Sequence, residues 1–188
     1  WAGRDTGATV VGKGASTAVG ETVSTSGGNA DTDGSGAQLS GNVLGVPAGS
    51  AAQLFGNAAA VGGRHHAGGH NVTASTAGGD IVTGGDFGSA SGNVIGVDAL
   101  PVVDAFGAAV GGLGHATAAG ANDTTAISGG DATTSGDHGY LAGNLVDAPA
   151  AVVAQVFGDS VAALGNAASF ADNQTAGQAG GQSDTSGA

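Results

Sequence analysis

Apolar positions along this chain fall into short blocks separated by longer polar, glycine-rich stretches. Asn42-Val43-Leu44-Gly45-Val46 is one such block, and Asn93-Val94-Ile95-Gly96-Val97 and Asn144-Leu145-Val146 are its counterparts. Short β-branched runs bounded by Gly and Asn predict strands. A second kind of block is rich in Ala and Val and runs into a Phe-Gly pair, as from Ala150 to Phe157 and Gly158. Val153, Val156, Phe157 and Val161 would share one face of a helix opened by Asp147-Ala148-Pro149. The β-branched density and Gly158 weaken that helix, so strand is the preferred reading, with one short Ala/Val helix per repeat (an α+β fold) as the alternative. Between the blocks, Gly-Gly, Gly-Asp and Asp-Gly steps predict turns.

The blocks keep a fixed interval. Gly27-Gly28, Gly78-Gly79 and Gly129-Gly130 lie 51 residues apart, as do Asn42, Asn93 and Asn144, and as do Phe55, Phe106 and Phe157. A period of this length, held without insertion, marks stacked or arrayed repeats. The chain divides into a partial N-terminal repeat (1–25), three full repeats (26–76, 77–127 and 128–178) and a partial repeat at 179–188. Trp1 falls opposite Ala52, Lys13 opposite Arg64, and Gly180-Gly181 opposite Gly129-Gly130. The fold expected is all-β, a β-solenoid or cross-β-like stack of 51-residue units. Whether one unit makes one layer or two is left open. The out-of-phase ends suggest that the tail of one copy continues into the head of the next, and head-to-tail contacts that do not close generate filaments.

Equivalent side chains would then meet at the strand spacing of about 4.7 Å. Three ladders are expected to hold the assembly: Asn42, Asn93 and Asn144; Asn71, Asn122 and Asn173; and an aromatic column of Phe55, Phe106 and Phe157. Asn71-Val72-Thr73, Asn122-Asp123-Thr124 and Asn173-Gln174-Thr175 also match the N-glycosylation acceptor pattern; the ladder is the preferred reading.

Composition narrows the function. The chain has 40 Gly among 188 residues, is 4% aromatic and 10% charged, and contains no Cys or Met. Ordinary domains carry about 25% charged residues and about 7% Gly, so a conventional enzyme core is not expected. Small and β-branched residues instead suit a thin sheet core ordered by backbone pairing. The net charge of −12, from 15 acidic and 3 basic residues, argues against nucleic acid and anionic membranes as partners. No apolar run of about 18 residues predicts a membrane span. A start at Trp1 fits prior removal of an export signal, and an extracellular, cell-surface location is expected.

Ser40-Gly41-Asn42-Val43-Leu44-Gly45-Val46-Pro47, followed by Phe55-Gly56-Asn57 and Ala59-Ala60-Val61-Gly62, resembles the chaplin domain of filamentous actinobacteria. Ser91-Gly92-Asn93-Val94-Ile95-Gly96-Val97 and Ala142-Gly143-Asn144-Leu145 look like weaker copies. The resemblance covers about half of each repeat. It implies a secreted, surface-active protein that assembles into amyloid-like fibrils. The family usually has Cys immediately before the later Gly-Asn, where Phe55, Phe106 and Phe157 stand here. The acidic glycine-rich spacers are a further departure.

Chemistry-bearing residues are sparse. His65, His66 and His70 form a small cluster that could bind metal, but histidine does not recur there at 51; a solvated turn is the simpler state. Gly79-Asp80, Gly85-Asp86, Gly130-Asp131 and Gly136-Asp137 loosely resemble the calcium turns of β-rolls without keeping their nine-residue repeat. Stacked carboxylates repel unless they protrude into water or share a cation, so Asp80, Asp86, Asp131 and Asp137 are expected either to be solvated or to hold Ca²⁺. No nucleophile stands beside a base in a recognisable order, and the single Glu, Glu21, leaves few acid–base pairs. Neither an enzyme nor a resident cofactor is expected. The preferred expectation is a secreted structural protein that polymerises with itself into filaments or a surface layer, with cell wall or related surface proteins as further partners. The alternatives are a calcium-dependent β-roll or adhesin module, and a ligand-binding solenoid, against which the lack of a regular Thr-x-Thr array counts.

Overall fold

A computed structural model describes residues 2–3, 6–9 and 11–187, with side chains from 11 to 187. Every regular element among them is a strand. The first coil carries β1 (Ala2–Gly3), β2 (Thr6–Thr9), β3 (Lys13–Ser26), β4 (Ala30–Asp33) and β5 (Val43–Gly45). The second carries β6 (Ala51–Phe55), β7 (Asn57–Ala60), β8 (Arg64–Ala77), β9 (Ile81–Gly84) and β10 (Val94–Gly96). The third carries β11 (Ala99–Phe106), β12 (Ala109–Gly111), β13 (His115–Ser128), β14 (Ala132–Ser135) and β15 (Leu145–Asp147). The fourth carries β16 (Ala150–Phe157), β17 (Ser160–Ala162), β18 (Asn166–Ala179) and β19 (Ser183–Ser186).

Coils stack into five parallel sheets, β1-β6-β11-β16, β17-β12-β7-β2, β18-β13-β8-β3, β19-β14-β9-β4 and β15-β10-β5. The register is 51 throughout: Lys13 lies on Arg64, Arg64 on His115, and His115 on Asn166. One repeat therefore makes one coil, and the fold is an all-β solenoid. The expected alignment of Lys13 with Arg64 is observed, and Thr185 likewise lies on Thr134, whereas the alignment of Trp1 with Ala52 lies outside the described residues. The helical alternative for the Ala/Val segment is overturned. Val152 and Val153 lie in β16, paired residue by residue with β11, because in-register pairing satisfies the backbone and β-branched residues suit a pleated surface.

Each coil is a flattened arch with two walls. The strands at 51–60 and 99–111 face the long strands β8 and β13, while β14 faces β15 further along. Ala58, Ala60, Ala67, Ala109, Ala116 and Ala118 form one small apolar cluster. Ala51, Ala77, Leu100, Val102 and Ala126 form another. Between these clusters lie the Phe column and a buried polar band. Gly107, with φ of 68°, makes the bend that separates β11 from β12, a backbone conformation that glycine adopts without a Cβ penalty.

Candidate assembly interface

Inward positions on the long wall meet complementary residues on the short wall. Gly69 stands against Phe55 and Gly120 against Phe106, so closely that an added Cβ would come within 3.0 and 2.8 Å of the rings. That absence of side chain admits the aromatic column. Phe55 and Phe106 stack with centroids 4.9 Å apart and planes 4° apart, and Phe106 and Phe157 follow at 5.2 Å and 13°. The spacing is that of the strands themselves, which holds identical rings in offset contact.

Beside the column runs the ladder at Asn71, Asn122 and Asn173. Asn71 Nδ2 donates to Asn122 Oδ1 at 3.0 Å, and Asn122 Nδ2 donates to Asn173 Oδ1 at 3.3 Å. The same amides donate within their own coils to Thr73, Thr124 and Thr175. Opposite them stands a column the sequence analysis did not single out: Gln53, Asp104 and Gln155. Gln53 Nε2 donates to Thr73 at 2.8 Å, and Thr124 donates to Asp104 Oδ2 at 2.9 Å. Asp104 Oδ2 also accepts from Asn122 and from Gln155 of the next coil, whereas its Oδ1 has no hydrogen-bond partner. The signal was present, since Gln53, Asp104 and Gln155 are 51 apart. Their inward orientation depended on strand phase. Asn71 and Asn122 are buried, so the folded chain withholds both from glycosylation.

A second Asn ladder lies near the surface. Asn93 Nδ2 donates to Asn42 Oδ1 at 2.9 Å, and Asn144 Nδ2 donates to Asn93 Oδ1 at 2.7 Å. Each oxygen also accepts the backbone N–H of the same Asn in the next coil, Asn93 N onto Asn42 and Asn144 N onto Asn93. The acidic turns use the same device. Asp131 N donates to Asp80 Oδ1, and Asp137 N to Asp86 Oδ1, both at 3.0 Å. Asp80 N donates to Asn29 Oδ1 and Gln182 N to Asp131 Oδ1, extending the first of these columns. The carboxylates of Asp80, Asp86 and Asp131 are thus each bound to the peptide of the next coil while remaining at the surface, an arrangement the sequence analysis did not foresee.

The histidine cluster is separated by strand alternation. His65 is buried, whereas His66 and His70 point outward from β8, and four residues of strand put those two about 13 Å apart along the chain. Among the described residues no group of three or more His, Cys, Asp or Glu could hold a metal ion, and His65, His66 and His70 lie in strand β8, not in the solvated turn expected from the sequence.

Asp98 departs from the repeat, occupying the position of Pro47 and Pro149. It is only 7% exposed and lines a cleft of about 330 Å³ with Val43, Pro47 and Ile81. Burial, followed by the charge of Asp147, holds its carboxyl above the usual value of 3.8.

The fourth coil presents its ladders to one side without a further layer. β18 pairs only with β13, and β19 only with β14. Phe157 is 43% exposed, compared with 0% for Phe106. Among the described residues, no helix is long and apolar enough to cross a membrane. Comparison with protein-family models, with curated proteins and with solved structures gave no match.

Proposed function

We propose that the protein is a structural element that lengthens by adding coils, one copy stacking end to end on another as a secreted, cell-surface filament. The observation that carries this reading is the in-register stack itself: each coil seats its successor through the same strand pairing and the same Phe and Asn columns, from Phe55 to Phe106 to Phe157 and from Asn71 to Asn122 to Asn173. A second copy would use these contacts again. Backbone pairing would supply stiffness, the Asn and Phe columns would hold the register, and surface carboxylates would keep filaments soluble. In-register strand edges are templates for further strands. The chaplin-like segments around Asn42 and Asn93 suit the same role, since they contribute β5, β10 and the outer Asn ladder. The work proposed is assembly and not turnover.

Electron microscopy of purified protein at neutral pH, with and without a chelator, tests the reading. Filaments with a meridional repeat of about 4.7 Å in fibre diffraction are expected in both conditions. Discrete particles in both would overturn it, and filaments lost only with chelator would replace it with a calcium-dependent module.

A further inference from the structure

The two walls of the solenoid differ in charge on their outer surfaces. On the long wall, outward charged and polar residues such as Glu21, Arg64, His70 and Asp123 alternate with exposed apolar ones such as Val19, Val23 and Phe170. On the short wall, the outward positions of β6, β11, β12, β16 and β17 include no charged residue among the described side chains. Val103 and Val110 are each 51% exposed, and Val156 and Val161 58% and 62%. The pattern continues into the neighbouring sheet, where Leu44, Ile95 and Val146 stack in one exposed column. In a chain of net charge −12, an apolar wall several coils high, interrupted only by the exposed Asp159 between β16 and β17 among the described side chains, is an interaction surface and not ordinary exposure.

We infer that this wall pairs face to face with the same wall of a second copy, joining two solenoids side by side. Area supports the choice of occupant. Thirteen residues at about 3.3 Å by three coils at about 4.8 Å give roughly 600 Å² per partner. The pair would bury roughly 1,200 Å² in total, the lower end of specific stable interfaces. Small and β-branched side chains in a regular grid can interdigitate as sheets about 10 Å apart. Asp159, exposed between β16 and β17, is the carboxylate that such pairing has to accommodate. Added salt would screen the remaining repulsion and strengthen association. The pairing goes beyond end-to-end growth and does not require it, although a filament would multiply the paired area with every copy added.

The absence of cysteine makes a direct test available. Single cysteines replace Leu54, Val103 or Val156 on the apolar wall, and Thr125→Cys on the polar wall serves as control. The wall variants are mixed, treated with a short bis-maleimide that bridges sheets facing each other at about 10 Å, and read on a denaturing gel and by light scattering. Equivalent positions in copies stacked end to end would lie about four layers, or about 19 Å, apart, beyond the reach of so short a linker. Covalent dimers at least ten times more abundant with the wall cysteines than with Thr125→Cys are expected. The variant Val103→Lys, outward and therefore harmless to the core, is expected to leave particles of single mass. Wall cysteines that cross-link no better than the control, with wild type of single mass, would overturn lateral pairing. If such protein instead adsorbs to apolar beads in a manner lost in Val103→Lys, the wall serves an apolar surface and the inference is again overturned. The two readings fail separately: dimers without filaments would remove only end-to-end growth, and single-width filaments without cross-links would remove only pairing.

Discussion

Phe106 is completely buried, and the space for its ring exists because Gly120 has no side chain. Gly120→Ala is expected to destabilise the fold by about 1–3 kcal/mol, the usual range for overpacking, because its Cβ would lie 2.8 Å from the Phe106 ring. Chemical denaturation measures the loss. Gly177→Ala, whose Cβ meets nothing within 4 Å, supplies the control and should be neutral or slightly stabilising. Asp98 makes a different prediction. Its folded-state carboxyl titrates above the ordinary 3.8 because burial and then Asp147 disfavour the charge. The folded state therefore holds this proton more tightly, and the associated stability is present in acid and lost as pH rises through the raised value. Asp98→Asn should be more stable than wild type at pH 7, with the advantage shrinking as pH falls toward and below 3.8. Melting temperatures of both proteins across that window decide the matter, and a gap independent of pH would exclude the linkage.

The strands differ in what their edges can still donate. Ala109 N donates to Asp159 O and Ala132 N to Gln182 O in the coil above, both at 2.8 Å. Ser160 and Ser183 hold the same places one coil later, being paired with Ala109 and Ala132. Their N–H groups therefore point away from the third coil, the side on which the proposed addition would take place. Proline at both removes two of these donors and puts a ring in the path of an incoming strand. Ser160→Pro/Ser183→Pro is expected to slow elongation at least about tenfold, since two lost charge-neutral hydrogen bonds at roughly 1 kcal/mol each already exceed one factor of ten. Elongation followed by light scattering, with circular dichroism to verify β content, would show this. Unchanged growth would mean that copies do not add at β17 and β19. At this scale, strand positions were readable from apolar blocks and Gly-Asn boundaries. The Ala/Val segment was not, because its apolar spacing fits a helical face as well as a strand, and only pairing of Val152 and Val153 with Pro101 and Val102 separates the two.

As a whole, the molecule is nearly one-dimensional: each coil touches its neighbours, and stability accumulates through interfaces between adjacent layers. Its interior is thin, with two small apolar clusters on either side of a polar band, and the Phe and Asn columns run from the second coil to the fourth. The outside is amphipathic, with charge on the long wall and at the turns and apolar residues on the short wall. The proposed end-to-end addition would use the first property and the proposed lateral pairing the second, so filament length and filament width should respond to different substitutions.

The repeat interval alone determined which residues become neighbours, because a period held without insertion leaves in-register stacking as the arrangement in which all equivalent peptides pair. Asn42 with Asn93, Asn71 with Asn122 and Phe55 with Phe106 follow from it directly. The inward or outward direction of each column was decided only in three dimensions, because strand alternation has a period of two and the Gly bends reset its phase. That phase buried Gln53 and Asp104, separated His65 from His66, and turned Val103 and Val110 outward. The close approach of the two walls also lay beyond linear reading: Gly120 meets Phe106 across the arch, and their contact depends on where the chain turns back.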